Sequence, residues 1–157
     1  MPQNELPGTP KEILRANFIL TSALIIGVVF FVFISLVVVR SIQKTEGMDQ
    51  IFLAIAGVIA FICLVSALKI YGNRVKMIKE QNLTLYQKLF DHRAALIIYF
   101  ALCEGPALFA VISFMLTGNY WLMIIVAIML LAMIVKLPSR QRVINELQLD
   151  WKEQQEL

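Results

Sequence analysis

Histidine is almost missing from this chain, with one residue, His92, among 157. Cysteine is nearly as scarce: Cys63 and Cys103 are the only two, and both fall inside apolar runs. A disulfide framework or a spaced metal-ligand set is thereby excluded, and both thiols read as small packing residues. Charge is also sparse, at 16% of residues against roughly 25% in soluble domains. There is no glycine-rich phosphate loop, no Cys–His pair in reach and no pair of carboxylates within an apolar run. These absences leave no basis for an enzyme, a cofactor or a metal centre. His92 opens the third apolar run beside Asp91 and Arg93. With no thiol or carboxylate at ligand spacing, it is expected to be a solvated interfacial histidine. The net charge of +3 does not indicate nucleic acid, because the cations flank apolar runs instead of forming a stripe of their own.

What the chain has in quantity is apolar side chains, which make up 59% of it. They gather in four runs, at about 18–39, 51–71, 94–116 and 120–137. A helix of about 20 residues rises about 30 Å, the thickness of a hydrocarbon core. The first and third runs therefore span with ease. The second borrows Ile70 and Tyr71 at its end, and the fourth borrows Lys136 and Leu137. β-branched residues crowd all four, but lipid offers backbone groups no other partner, so helix is forced. The first run is too long for the core of a cleavable signal and no small-residue cleavage site follows it, so it is expected to stay as an anchor. The expected fold is an all-α membrane protein, a bundle of four transmembrane helices arranged as two helical hairpins.

Orientation follows from the cations. With the N-terminus inside, that side holds Lys11, Arg15, Lys69, Arg74, Lys76, Lys79, Lys88, Arg93, Lys136, Arg140, Arg142 and Lys152, leaving Arg40 and Lys44 outside. Both termini are thus expected to be cytoplasmic, in a bacterial-type inner membrane. Trp121 and Tyr120 open the fourth run as interfacial anchors. Residues 1–10, with three prolines, are expected to be disordered. Between residues 70 and 90, Val75, Ile78, Leu85, Tyr86, Leu89 and Phe90 recur at helical spacing among basic residues. This predicts a cytoplasmic amphipathic loop helix or an extension of the second span. In the tail, 139–155, Val143, Ile144, Leu147 and Trp151 share a stripe, predicting a C-terminal surface helix that docks on the bilayer or on a partner subunit. Arg74, Lys76, Lys79, Lys88, Arg93, Arg140, Arg142 and Trp151 are the candidate contacts to lipid headgroups or partners.

Glu104 is the one charged residue deep inside a run, close to the midpoint of the third. An ionisable group at that depth costs several kcal/mol and marks a functional or buried contact. No cation lies at similar depth, so a neutral, protonated carboxyl is expected, hydrogen-bonded to a neighbouring helix. Pro106 frees the carbonyl of Leu102 and Gly105 removes bulk beside it, predicting a kinked, polar pocket. Small residues, Ala101 and Gly105 on this span and Ala56, Ala60, Cys63 and Ala67 on the second, predict close packing of the two. Glu104 then either fixes assembly of a homo-oligomer or larger membrane complex, or binds a proton or small cation.

The stretch Ala101-Leu102-Cys103-Glu104-Gly105-Pro106-Ala107-Leu108-Phe109-Ala110 resembles the carboxylate helix of the proteolipid c-subunits of rotary ATP synthases, where A-L-A-E-A-x-A-I-Y-G carries the proton-binding Glu. The resemblance covers about a tenth of the chain. The glycine-rich first helix of that family is missing and Pro106 departs from its pattern. What the resemblance implies is confined to Glu104, as a proton-binding carboxylate.

Overall fold

In the computed structural model, residues 9–39, 47–81 and 83–156 are described. Most of the expected disordered N-terminal stretch, together with Arg40 and Lys44, lies outside them. The described residues are helical with no strand, in six helices: α1 (Pro10–Val38), α2 (Asp49–Glu80), α3 (Leu85–Thr117), α4 (Trp121–Val135), α5 (Arg140–Leu147) and α6 (Trp151–Glu156).

Local chemistry sets where these helices begin and end. Pro10 occupies the first position of α1, where its missing N–H costs nothing, and the Thr9 N–H donates to Glu12 Oε2 at 2.8 Å. Thr84 repeats the device at the head of α3, its N–H donating to Gln87 Oε1 at 3.1 Å. Gly118 ends α3 with φ +68°, a left-handed turn that suits glycine, and its N–H donates to the Phe114 carbonyl at 2.7 Å. Asn119 Oδ1 then accepts from the Trp121 N–H at 3.0 Å and starts α4. The turn between α3 and α4 is therefore only three residues long.

Three helices, α1, α2 and α3, are long and apolar enough to cross a membrane. α4 has 15 residues, about 22 Å at 1.5 Å each, and α5 follows it at a bend of 77°. The expected loop helix at 70–90 does not exist as a separate element. α2 runs unbroken to Glu80, so its last residues continue the second apolar run, and α3 takes over from Leu85. α3 also passes through Pro106 as one continuous helix.

α3 is the axis of the bundle: half of its apolar window is buried, against 17% for α1 and for α2. Its neighbours present unusual faces to the interior. α1 turns inward Asn17, Thr21, Val28 and Ser35, and α2 turns inward Ala56, Ala60 and Ala67, while Phe30, Phe33, Phe61 and Ile62 point out. Lipid is as apolar as leucine, so nothing drives large aliphatics inside; small residues go there because they let helices approach. The buried hydroxyls satisfy themselves on their own helix. Thr21 donates to the Asn17 carbonyl at 2.9 Å, Ser113 to Phe109 and Thr117 to Ser113, both at 2.8 Å.

A second, smaller core sits at the end of the bundle where α1 and α3 begin and α2 ends. Ile78, Leu85, Leu89, Val143, Leu147 and Leu149 are buried together there. The tail helix α5 thus buries Val143 and Leu147 against its own chain, unlike the bilayer or partner contact expected from the stripe alone. Trp151 stays out, 73% exposed.

Candidate functional site

Glu104 lies on the outer flank of α3. It is half-buried, Ala101 and Gly105 beside it are exposed, and a Cβ added at Gly105 meets nothing within 4 Å. Ile97 and Ile112, two turns before and two turns after it on the same side, are exposed as well. No hydrogen bond or ion pair among the described residues reaches the carboxylate. The small residues that α3 buries are instead Cys103, Ala107 and Ala110, in the same core as Ala56, Ala60 and Ala67. Pro106 is buried, and Leu102 and Cys63 are half-buried. The expected pair Ala101 and Gly105 therefore faces away from the bundle. No described group of His, Cys, Asp and Glu has the makings of a metal site.

The structure builds a polar centre elsewhere, at the basic end of the bundle. Tyr71 comes from α2, His92 from α3, Lys136 from the end of α4, and Arg142 and Glu146 from α5. Sequence spacing could not bring them together, because 75 positions separate Tyr71 from Glu146. The two buried members are Tyr71 and His92, 4% and 1% exposed, so the expectation of a solvated His92 is wrong. It failed because α5 folds back over the ends of α2 and α3 and excludes water from the imidazole.

The hydrogen bonds assign the protons. Tyr71 O–H donates to Glu146 Oε2, and His92 Nε2 lies 3.0 Å from the Tyr71 oxygen and 3.3 Å from Glu146 Oε2. Since the phenol proton is spent on the carboxylate, the imidazole carries its proton on Nε2 and donates to both oxygens. On the other carboxylate oxygen, Lys136 Nζ sits at 3.3 Å and Arg142 Nε at 3.7 Å. Lys136 also lies 4.5 Å above the Tyr71 ring, a cation–π contact. Arg142 donates onward to the Val135 and Leu137 carbonyls, the unpaired acceptors where α4 ends. One carboxylate thus ties the tail to α2, α3 and α4 together. The tail's last turn is held in turn by Lys88 Nζ on Glu153 at 2.7 Å and by Arg140 on the Gln154 carbonyl at 2.9 Å.

Of the basic residues expected to meet lipid or a partner, Lys88 and Arg142 are therefore spent inside the chain, while Arg74, Lys76 and Lys79 are exposed and Arg93 is half-buried. A signal for the centre was present: Glu146 interrupts the apolar stripe of the tail between Val143 and Leu147, and an acid on a buried face demands donors.

Burial pushes the Glu146 carboxyl upward, but the hydrogen bonds from His92 and Tyr71 and the charge of Lys136 outweigh it and hold it at about 2, against 4.5 ordinarily. Because the folded value is the lower one, its stabilisation is complete above about pH 4.5 and is lost as pH falls from there toward 2. Hydrogen exchange of the α5 amides in detergent should stay slow down to that point. Below it, α5 is expected to exchange before α2 and α3 do; equal acceleration in all three would contradict this.

No family model, curated protein or solved structure matches this chain.

Proposed function

We propose that this protein is a non-enzymatic structural or accessory subunit of a membrane assembly, a homo-oligomer or a larger complex, joined through the outer strip of α3 around Glu104. In this reading α4 completes a fourth span, the basic end faces the cytoplasm and the tail is latched beneath it.

The observation that carries the reading is the half-exposed, unpartnered carboxyl of Glu104 on the outer wall of an otherwise apolar helix. A lipid-facing ionisable group at that depth costs several kcal/mol, whereas a neighbouring span bearing a hydroxyl, amide or backbone carbonyl would satisfy it. Ala101 and Gly105 leave the backbone of α3 bare beside it, which allows such a span to approach closely. The basic excess at one end agrees with a cytoplasmic placement.

The test uses the whole protein in mild detergent. Gly105→Leu is expected to leave the subunit folded, since the position is exposed and a Cβ there meets nothing within 4 Å, and to dissociate the assembly by blocking close approach. Glu104→Leu should dissociate it too, while Glu104→Gln, still able to donate and accept, should keep it. A native protein that runs as a monomer, or a Gly105→Leu variant that keeps the native assembly size, would refute the proposal. Proton or cation flux in vesicles, lost in Glu104→Gln with assembly intact, would put the transport reading in its place.

A further inference from the structure

We infer that the groove between the start of α1 and the α4–α5 connection is a binding site for the headgroup of an anionic membrane phospholipid. The groove is open to the outside and has a volume of about 340 Å³. Its charged wall is Lys11 and Arg15, four residues apart on one face of α1, with Arg140, the first residue of α5, facing them. Among the described residues, no acidic one lines it.

Lys11 and Arg15 have no ion pair or hydrogen bond among the described residues. Glu12, the neighbour of Lys11 in the chain, directs its carboxylate to the Thr9 N–H instead. Arg140 is held in place by the Gln154 carbonyl through one amino group, leaving its other N–H groups free. Ser139 Oγ accepts from the Arg142 N–H at 3.3 Å, so its own proton remains to donate. Three cations and a hydroxyl that converge on an empty space are complementary to a phosphate bearing negative charge.

The other wall says which phosphate source fits. Leu14, Phe18 and Pro138 complete the groove, and Phe18 is the first residue of the apolar run of α1, half of it exposed. The groove therefore straddles the boundary where charged helix ends meet the apolar surface of the bundle. A soluble phosphate would use only the charged half. A phospholipid would place its phosphate among Lys11, Arg15 and Arg140 and its glycerol and acyl carbons against Phe18 and Leu14. Arg140 enters the groove only because the Glu146 latch and the Gln154 contact hold the tail under the bundle, so lipid binding and tail docking support each other.

Native mass spectrometry of the intact protein, offered phosphatidylglycerol, phosphatidylcholine or inorganic phosphate in turn, tests this. Phosphatidylglycerol should stay bound where the other two do not. A Lys or Arg near a headgroup contributes about fivefold in affinity, so Lys11→Gln, Arg15→Gln and Arg140→Gln together should weaken phosphatidylglycerol binding about a hundredfold. Because Arg140 also holds the Gln154 carbonyl, the double variant Lys11→Gln with Arg15→Gln is the folding control: it should keep the native helix content and melting temperature in lipid-free detergent and still bind phosphatidylglycerol about 25-fold more weakly. A control variant with the exposed α2 cations removed, Arg74→Gln with Lys79→Gln, should bind as the native protein does. Equal retention of the zwitterionic lipid, equal loss in the control variant, or binding of inorganic phosphate as tight as that of phosphatidylglycerol would each overturn the assignment. Binding that survives in Gly105→Leu would separate this site from the assembly face of α3.

Discussion

Replacing Glu146 by alanine is expected to release α5 and α6 from the bundle while α1, α2 and α3 remain helical. The substitution removes the one acceptor shared by Tyr71, His92, Lys136 and Arg142, and leaves two cations close together with no counter-charge. Breaking a buried pair by deleting one partner costs about 3–5 kcal/mol. Glu146 keeps 20% of its side-chain surface open, and Lys136 and Arg142 keep 23% and 33%, so water and salt relieve part of that cost. About 2–3 kcal/mol is the expected loss. Val143 and Leu147 alone bury too little to hold an eight-residue helix against such a deficit. Limited proteolysis should cut the variant at Arg140 and Arg142 at a rate at least tenfold above native. Tyr71→Phe, which removes one donor and leaves the ion pairs, should raise the rate far less. Equal rates in native protein and Glu146→Ala would show that the latch does not hold the tail.

The second large effect concerns Phe100, which is fully buried in the core around α3. In water, Phe→Ala in a core costs about 3–5 kcal/mol, combining the lost transfer from solvent with the cavity left behind. Where the unfolded reference is still in lipid, the transfer part nearly vanishes, because lipid is as apolar as the core. The cavity part remains: roughly 100 Å³ at about 24 cal/mol per Å³ is about 2.4 kcal/mol. Phe33, 65% exposed on α1, loses neither part when truncated and should cost less than about 0.5 kcal/mol. Unfolding in mixed detergent–denaturant should therefore separate the two variants by about 2 kcal/mol. A soluble reading of the same chain would make Phe33 a surface residue facing water, and Phe33→Ala would then improve solubility; unchanged detergent dependence would favour the membrane reading.

The contrast between these two phenylalanines explains how much of the fold could be read in advance. Four apolar runs announce helices through composition alone, three of them long enough to cross a membrane and the fourth, α4, only 15 residues, and the short turn at Gly118-Asn119 announces the hairpin of α3 and α4. Which side of each helix faces inward was far less legible. In a soluble helix apolar residues mark the interior, but in α1 both sides are apolar and that contrast disappears. The better marker runs the other way: Asn17, Thr21 and Ser35, four and then fourteen residues apart, line the buried face of α1 because polar and small groups avoid lipid. The same inversion misdirects an expectation about Ala101 and Gly105, which form a packing pair by pattern and yet lie on the outside of α3.

By itself, the order of residues determined that the chain is helical, where the apolar middles of α1, α2 and α3 lie, though not that α1 starts at Pro10, α2 runs on to Glu80 or α3 starts at Leu85, and that Glu104 sits deep within an apolar stretch. Only the tertiary structure decided that Glu104 faces outward with no partner among the described residues. It alone brought Tyr71, His92 and Glu146 to one point, and set Arg140 opposite Lys11 and Arg15. The physical reason is the range of the forces involved: hydropathy acts on each residue where it stands, whereas a shared carboxylate or a charged groove exists only after distant helix ends have met.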